Sequence, residues 1–227
     1  MGLTIVKEID DFVKIRNILI SVSDKSNLDI FINNLLRIIP DIKIFSTGGT
    51  YDYLSSIKGI TEDKNLLQIS DYTKQPEMQG GLVKTLDFRI YTGILSEKYN
   101  ENHKNDLKRT KSIEFDMVIV NLYPFSDIIK NKSALPEEAR TNIDIGGPCM
   151  LRASAKNFHR VTSVCNPSFY ASIAEELKNS NGKISLKTRF KLAKDSFRHT
   201  SIYDKTISAY LSKISYKKMT ECYRLHN

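Results

Sequence analysis

Ile18-Leu19-Ile20-Ser21-Val22 stops at the polar run Ser23-Asp24-Lys25-Ser26-Asn27, and Leu28, Phe31, Ile32, Leu35, Leu36 and Ile39 then recur at helical spacing. A short branched apolar run followed by an amphipathic stripe reads as strand, loop and helix. Pro40-Asp41 ends that helix and Ile42 to Phe45 forms a second strand. Ser46-Thr47-Gly48-Gly49-Thr50 then turns into another helix, with Tyr51, Leu54 and Ile57 on one side. Met117-Val118-Ile119-Val120 is a continuous apolar run, as expected of a strand covered on both faces, and Val161 to Val164 is a further candidate. Long helical segments follow at 168–178 and 186–211. Strand, helix and strand at this spacing imply right-handed parallel crossovers. The sequence therefore predicts an α/β fold with a doubly wound, mostly parallel sheet and extra C-terminal helices. One domain is expected over 16–211, with a basic tail over 212–227 that is either disordered or a surface helix using Ile214, Met219 and Tyr223.

At 41% hydrophobic, 227 residues can bury a real core, which excludes wholesale disorder. No run of ~18 apolar residues offers a bilayer-spanning helix. The first residues interleave Glu8, Asp10, Asp11 and Lys14 with apolar ones and lack a signal-peptide core; Val6 breaks a myristoylation pattern. Cys149, Cys165 and Cys222 are widely spaced and match neither a disulfide framework nor a zinc pattern. A soluble, cytoplasmic protein is expected. The net charge of +8 includes Lys213, Lys217, Lys218 and Arg224 in the tail, and a second basic cluster lies at 104–111. No tract interleaves basic and aromatic residues as a single-strand platform does, so nucleic acid is not the expected partner. The basic bias suits a multiply anionic metabolite.

The polar loops fall where strands hand over to helices, which is where ligands sit in doubly wound sheets. Thr47-Gly48-Gly49-Thr50 offers backbone N–H groups, a helix start and two hydroxyls to an anion. Ser23-Asp24-Lys25 occupies the same position after the neighbouring strand, with Lys25 able to neutralise a phosphate and Asp24 suited to capping a helix or holding Lys25. Gly80-Gly81-Leu82-Val83-Lys84-Thr85 places a lysine behind another glycine pair. Asn121-Leu122-Tyr123-Pro124-Phe125 presents Asn121 and Tyr123 at the end of a buried strand. Asn142-Ile143-Asp144-Ile145-Gly146-Gly147-Pro148 opens a helix that carries Arg152 and Lys156 four apart.

These stretches stand in one order. With Met150-Leu151-Arg152-Ala153, Ala155-Lys156-Asn157, His199-Thr200 and Tyr203-Asp204, the chain from about 17 to 211 resembles the inosine monophosphate cyclohydrolase domain of the bifunctional purine biosynthesis family. The resemblance implies a methylglyoxal-synthase-like fold, a homodimer and a nucleotide substrate, 5-formamidoimidazole-4-carboxamide ribotide, which closes to inosine monophosphate with loss of water. It implies no metal and no cofactor. Ser23, Asp24, Lys25, Thr47, Gly48, Gly49 and Thr50 would hold the ribose phosphate, and Thr85, Asn121 and Ile145 would lie beside the reacting end. The implied catalytic set is Lys84, Tyr123, Asp144 and Lys156, with Lys156 transferring protons, Tyr123 assisting it and Asp144 orienting the carboxamide. Lys156→Ala is then expected to lower turnover.

The chain also departs from the family pattern. The family's Gly-Arg-Val-Lys-Thr-Leu-His-Pro reads Gly81-Leu82-Val83-Lys84-Thr85-Leu86-Asp87-Phe88, so Leu82 replaces an arginine of the nucleotide site. Losing a charged hydrogen bond there costs on the order of 1–3 kcal/mol, which Arg89 nearby could offset. The larger transformylase domain of the family has no counterpart in the chain, so the expectation is that a separate formyltransferase supplies the substrate or that the chain is a fragment or a reduced gene product. The competing reading is a weak or silent nucleotide-binding regulatory module of the same fold. A methylglyoxal synthase would share the phosphate-cradling loop but neither the Asn121–Phe125 nor the Asp144–Pro148 motif.

Overall fold

The computed structural model describes residues 5–75, 84–131 and 133–226. A small antiparallel pair, β1 (Phe12–Lys14) with β7 (Lys183–Ser185), flanks the main sheet. That sheet contains β2 (Asn17–Val22), β3 (Lys43–Ser46), β4 (Leu66–Gln68), β5 (Met117–Asn121) and β6 (Thr162–Val164), all parallel, in the order β4-β3-β2-β5-β6. The period-two geometry of a strand divides its apolar runs between two cores. Ile18, Ile20, Val22, Met117 and Ile119 face one; Leu19, Val118 and Val120 face the other. Both faces must therefore be covered. Helices α1 (Leu28–Ile38), α2 (Gly48–Ser55) and α9 (Tyr170–Asn179) pack on the first core. Helices α3 (Ile69–Thr73), α4 (Phe88–Leu95), α8 (Gly146–Lys156) and α10 (Leu186–Leu211) pack on the second. The expected doubly wound α/β architecture is the observed one.

The remaining helices are α5 (Glu101–Thr110), which buries none of its residues, α6 (Phe125–Lys130), α7 (Pro136–Thr141) and α11 (Tyr216–Thr220). The described part of the tail is thus a short surface helix, and the Tyr223 hydroxyl beyond it donates to Glu137 of α7. Two buried guanidiniums fasten the layers by donating to backbone carbonyls of neighbouring segments. Arg160 donates to Phe115 O and Ser96 O at 3.0 Å and to Gly93 O at 2.5 Å, joining α4 to the start of β5. Arg189, fully buried on α10, donates to the carbonyls of Asp10, Asp11, Phe158, His159 and Ile184 at 2.5–3.1 Å.

Arg189→Met removes every one of those donors while filling similar space. Unpaired buried acceptors cost ~1–3 kcal/mol each before relaxation, so the expected loss is about 3 kcal/mol, read as a lower urea midpoint at unchanged slope. A midpoint equal to that of the unmodified chain would show that water replaces the guanidinium.

Candidate active site

β2 and β5 are neighbours, but the chain leaves β2 toward α1 on one face and leaves β5 toward the other. A crevice opens between such strands at their carboxyl ends, and here the Asn121 carboxamide bridges it. Its Oδ1 accepts from Ser23 N at 2.7 Å and Asp24 N at 2.9 Å, and its Nδ2 donates to Asp24 O at 2.8 Å. Ser23 Oγ lies 2.9 Å from both Asn121 Oδ1 and Leu122 O. Thr50 plays the same part for β2: its Oγ1 accepts from Val22 N at 3.1 Å and donates to Val22 O at 3.0 Å. The expected anion-binding hydroxyls of Ser23 and Thr50 are therefore engaged in holding the loops together. Asp24 accepts from Ser26 N and Ser26 Oγ, and the α1 cap position falls to Asn27. Lys25 stays in the same loop, half-buried.

Gly48 opens α2 with φ +47°, a conformation that a side chain would strain. A Cβ built there would stand 3.5 Å from Lys84 Nζ, so the ammonium reaches the first turn of α2. The amides of Gly48 and Gly49 have no partner within the helix because of their position. Thr85 Oγ1 fills the space that a Cβ on Gly146 would occupy, at the start of α8. Lys84 and Thr85 thus span from one helix N-terminus to another, and both termini favour negative charge.

Asp144 stands between these features and β5. Its Oδ1 accepts from Gly147 N at 2.8 Å, the Tyr123 amide draws its pKa down from nearby, and its own N–H donates to Tyr203 Oη at 2.8 Å. Burial pushes the Asp144 carboxyl above the ordinary carboxylate range, against the pull of the two amides. Tyr91 of α4 lies beside Cys149 and Asp144; burial holds its phenol well above the usual value, and its buried hydroxyl has no hydrogen-bond partner among the described residues. Tyr123 and Ile145 are exposed at the rim. A cleft of about 620 Å³ continues from Ser23, Asn121 and Tyr123 to His199 and Tyr203 of α10. His199 Nε2 is buried there without a partner among the described residues, and burial lowers its pKa.

One expected catalytic residue is not at this edge. Lys156 is the last residue of α8, and ten residues at 1.5 Å each put it about 15 Å from Gly146, toward the amino ends of the strands. It is exposed there, on the same helix as Arg152, whose guanidinium lies 5.6 Å over the Phe197 ring. Arg89 is also committed elsewhere, donating to Tyr72 O at 2.8 Å, so it does not stand in for the arginine replaced by Leu82. Leu82 itself lies outside the described residues. Asp87, in place of the family histidine, caps α4 by accepting from Arg89 N at 2.7 Å. Sequence reasoning gave Tyr91 no part at all. Tyr203 was visible only as a member of a motif.

Residues 30–149 match the MGS-like domain family, and residues 154–226 match the AICARFT/IMPCHase bienzyme family. The chain belongs to the MGS-like domain family. Among its relatives, the bifunctional purine biosynthesis protein PurH of Ligilactobacillus salivarius is 44% identical over 195 residues, which is 86% of this chain and 36% of that protein. The PurH protein of Acetivibrio thermocellus is 45% identical over 197 residues, covering 87% and 37%. The chain therefore spans little more than a third of the length of these relatives. Among solved structures, the crystal structure of ForH superposes with a TM-score of 0.70 at 28% identity, covering 86% of this chain and 97% of that one. Among the described residues, no helix is long and apolar enough to cross a membrane.

A carboxyl whose pKa rises on folding stabilises the folded state while protonated and loses that contribution as pH climbs through the folded value. The stability difference between Asp144→Asn and the unmodified chain is therefore expected to move in the variant's favour between pH 4 and pH 7. Urea titrations at both values check it; a difference independent of pH would show that burial does not raise the Asp144 pKa.

Proposed function

We propose that this carboxyl edge closes 5-formamidoimidazole-4-carboxamide ribotide to inosine monophosphate with loss of water, the chain working as a homodimer on substrate made by a separate formyltransferase. The observation that carries the reading is the common edge: a cationic cradle at Gly48 and Lys84 adjoins a half-buried carboxyl at Asp144. Thr47, Gly48, Gly49 and Lys25 receive the phosphate, while Ser23, Asp24, Asn121 and Thr50 hold the loops in place.

Ring closure joins the carboxamide nitrogen to the formyl carbon of the same molecule. Holding the two in a reactive conformer removes much of the entropic barrier. The formyl oxygen gains negative charge as the bond forms. Lys84 and the N-terminal amides of α8 supply donors and positive potential for it, and Thr85 lines the same approach. Asp144 accepts the carboxamide N–H, orients that nitrogen and takes up its proton; this proton and the former formamide N–H proton pass to the formyl oxygen, which leaves as water while the carbon–nitrogen double bond of the new ring forms. Lys156 has no part in this sequence of steps within one chain.

Mixing purified protein with the formamido ribotide and following absorbance tests the reading. Turnover is expected, with Lys84→Ala and Asp144→Asn each lowering kcat about 100-fold. The acid limb of the rate profile is expected above the ordinary carboxylate range, because protonated Asp144 cannot accept the carboxamide proton. Binding without conversion would favour the regulatory-module reading. A comparable loss in Lys156→Ala would move proton transfer away from Lys84 and Asp144.

A further inference from the structure

We propose that Tyr203, on α10, is a positioning residue for the Asp144 carboxylate, a role that rests on the cyclohydrolase reading above. The two residues are 59 apart in sequence, yet Asp144 N–H donates to Tyr203 Oη at 2.8 Å. Tyr203 is 8% exposed, and its ring meets the edge of Phe125 with centroids 6.3 Å apart at 70°. Phe125 opens α6 two residues after Tyr123, whose amide lies near enough to the Asp144 carboxylate to draw its pKa down. Tyr210 closes the cluster from the next turns of α10, 5.7 Å from Phe125 at 83°.

Two hydrogen bonds hold Asp144: Tyr203 fixes its backbone, and Gly147 N–H at 2.8 Å fixes its carboxylate, while the Tyr203–Phe125 contact seats the segment that carries Tyr123. Without the Tyr203 oxygen, the Asp144 amide loses its acceptor at a partly buried site, so the loop must move or admit water. A displacement on the order of 1 Å is enough to cost a near-attack geometry one to two orders of magnitude. The groups around Asp144 include Tyr91 of α4, with Cys149 of α8 beside it, and Tyr203 of α10, which itself faces Asp204, while Lys84 adjoins through Thr85 at the start of α8. Burial outweighs the neighbouring amides at Asp144, and the tightness of the loop controls burial.

Tyr203→Phe keeps the ring on Phe125 and deletes only the oxygen. Expected are a kcat about tenfold lower with KM within about twofold, and an Asp144 carboxyl midpoint, followed by carbon-13 NMR, that falls toward the ordinary value as water enters. Tyr210→Phe, which removes a hydroxyl from the same cluster without touching Asp144, is expected to change neither. An Asp144 midpoint and a kcat equal to those of the unmodified chain, with or without a lower melting temperature, would overturn the proposal. If the unmodified chain does not convert the ribotide at all, the cyclohydrolase reading fails, while the NMR midpoint still decides whether Tyr203 positions Asp144.

Discussion

The Asn121 carboxamide is the tie on which the edge depends. It closes the crevice where the sheet changes its winding direction, and it does so by taking the amides of Ser23 and Asp24 and returning a donor to the Asp24 carbonyl. An untied crevice would leave two loops with unpaired backbone groups at the mouth of the sheet, a situation folded chains avoid. Thr50 repeats the device one strand away, against both the amide and the carbonyl of Val22. The short hydroxyl and amide side chains of the edge are thereby engaged in scaffold, which leaves helix termini and lysines to meet an anion. That division explains why loops so rich in serine and threonine still present a defined cationic cradle.

Asp144 shows the opposite tendency. A carboxyl half-buried beside aromatic rings and amides is less stable ionised than it would be in water, and groups kept in such a state cluster where chemistry is done. The body beneath it is correspondingly rigid. Arg160 locks α4, the helix that carries Tyr91, to the start of β5. Arg189 locks α10, the helix that carries Tyr203, to the small β1–β7 pair and to the turn before β6. The two walls around Asp144 are thus pinned at their far ends by buried guanidiniums that donate mainly to backbone carbonyls.

Much of this fold was legible in the chain. β2, β3 and β5 announce themselves because both of their faces are buried, and α10 spans the expected 186–211 because its stripe is long. β4, β1 and β7 escaped because three residues carry no readable period, and each is specified by its partner strand. The same limit applies to the site. Motif order located the loops that meet at the edge, since each follows a strand. It could not show that Lys156 follows its motif through three turns of helix to the far end of α8. Nor could it show that Arg89 turns to the carbonyl of Tyr72, or that Tyr203 returns to Asp144. Those are long-range pairings set by packing, which local pattern does not encode.

The central claim is that one monophosphate site lies at the carboxyl edge between the first turns of α2 and α8. A crystal structure of the full chain with inosine monophosphate tests it most directly. The account places the phosphate against the Gly48 and Gly49 amides and Lys84 Nζ, with the purine ring toward Asp144. A nucleotide seated elsewhere, such as the groove between α1 and α9 lined by Asn34 and Tyr170, would contradict it.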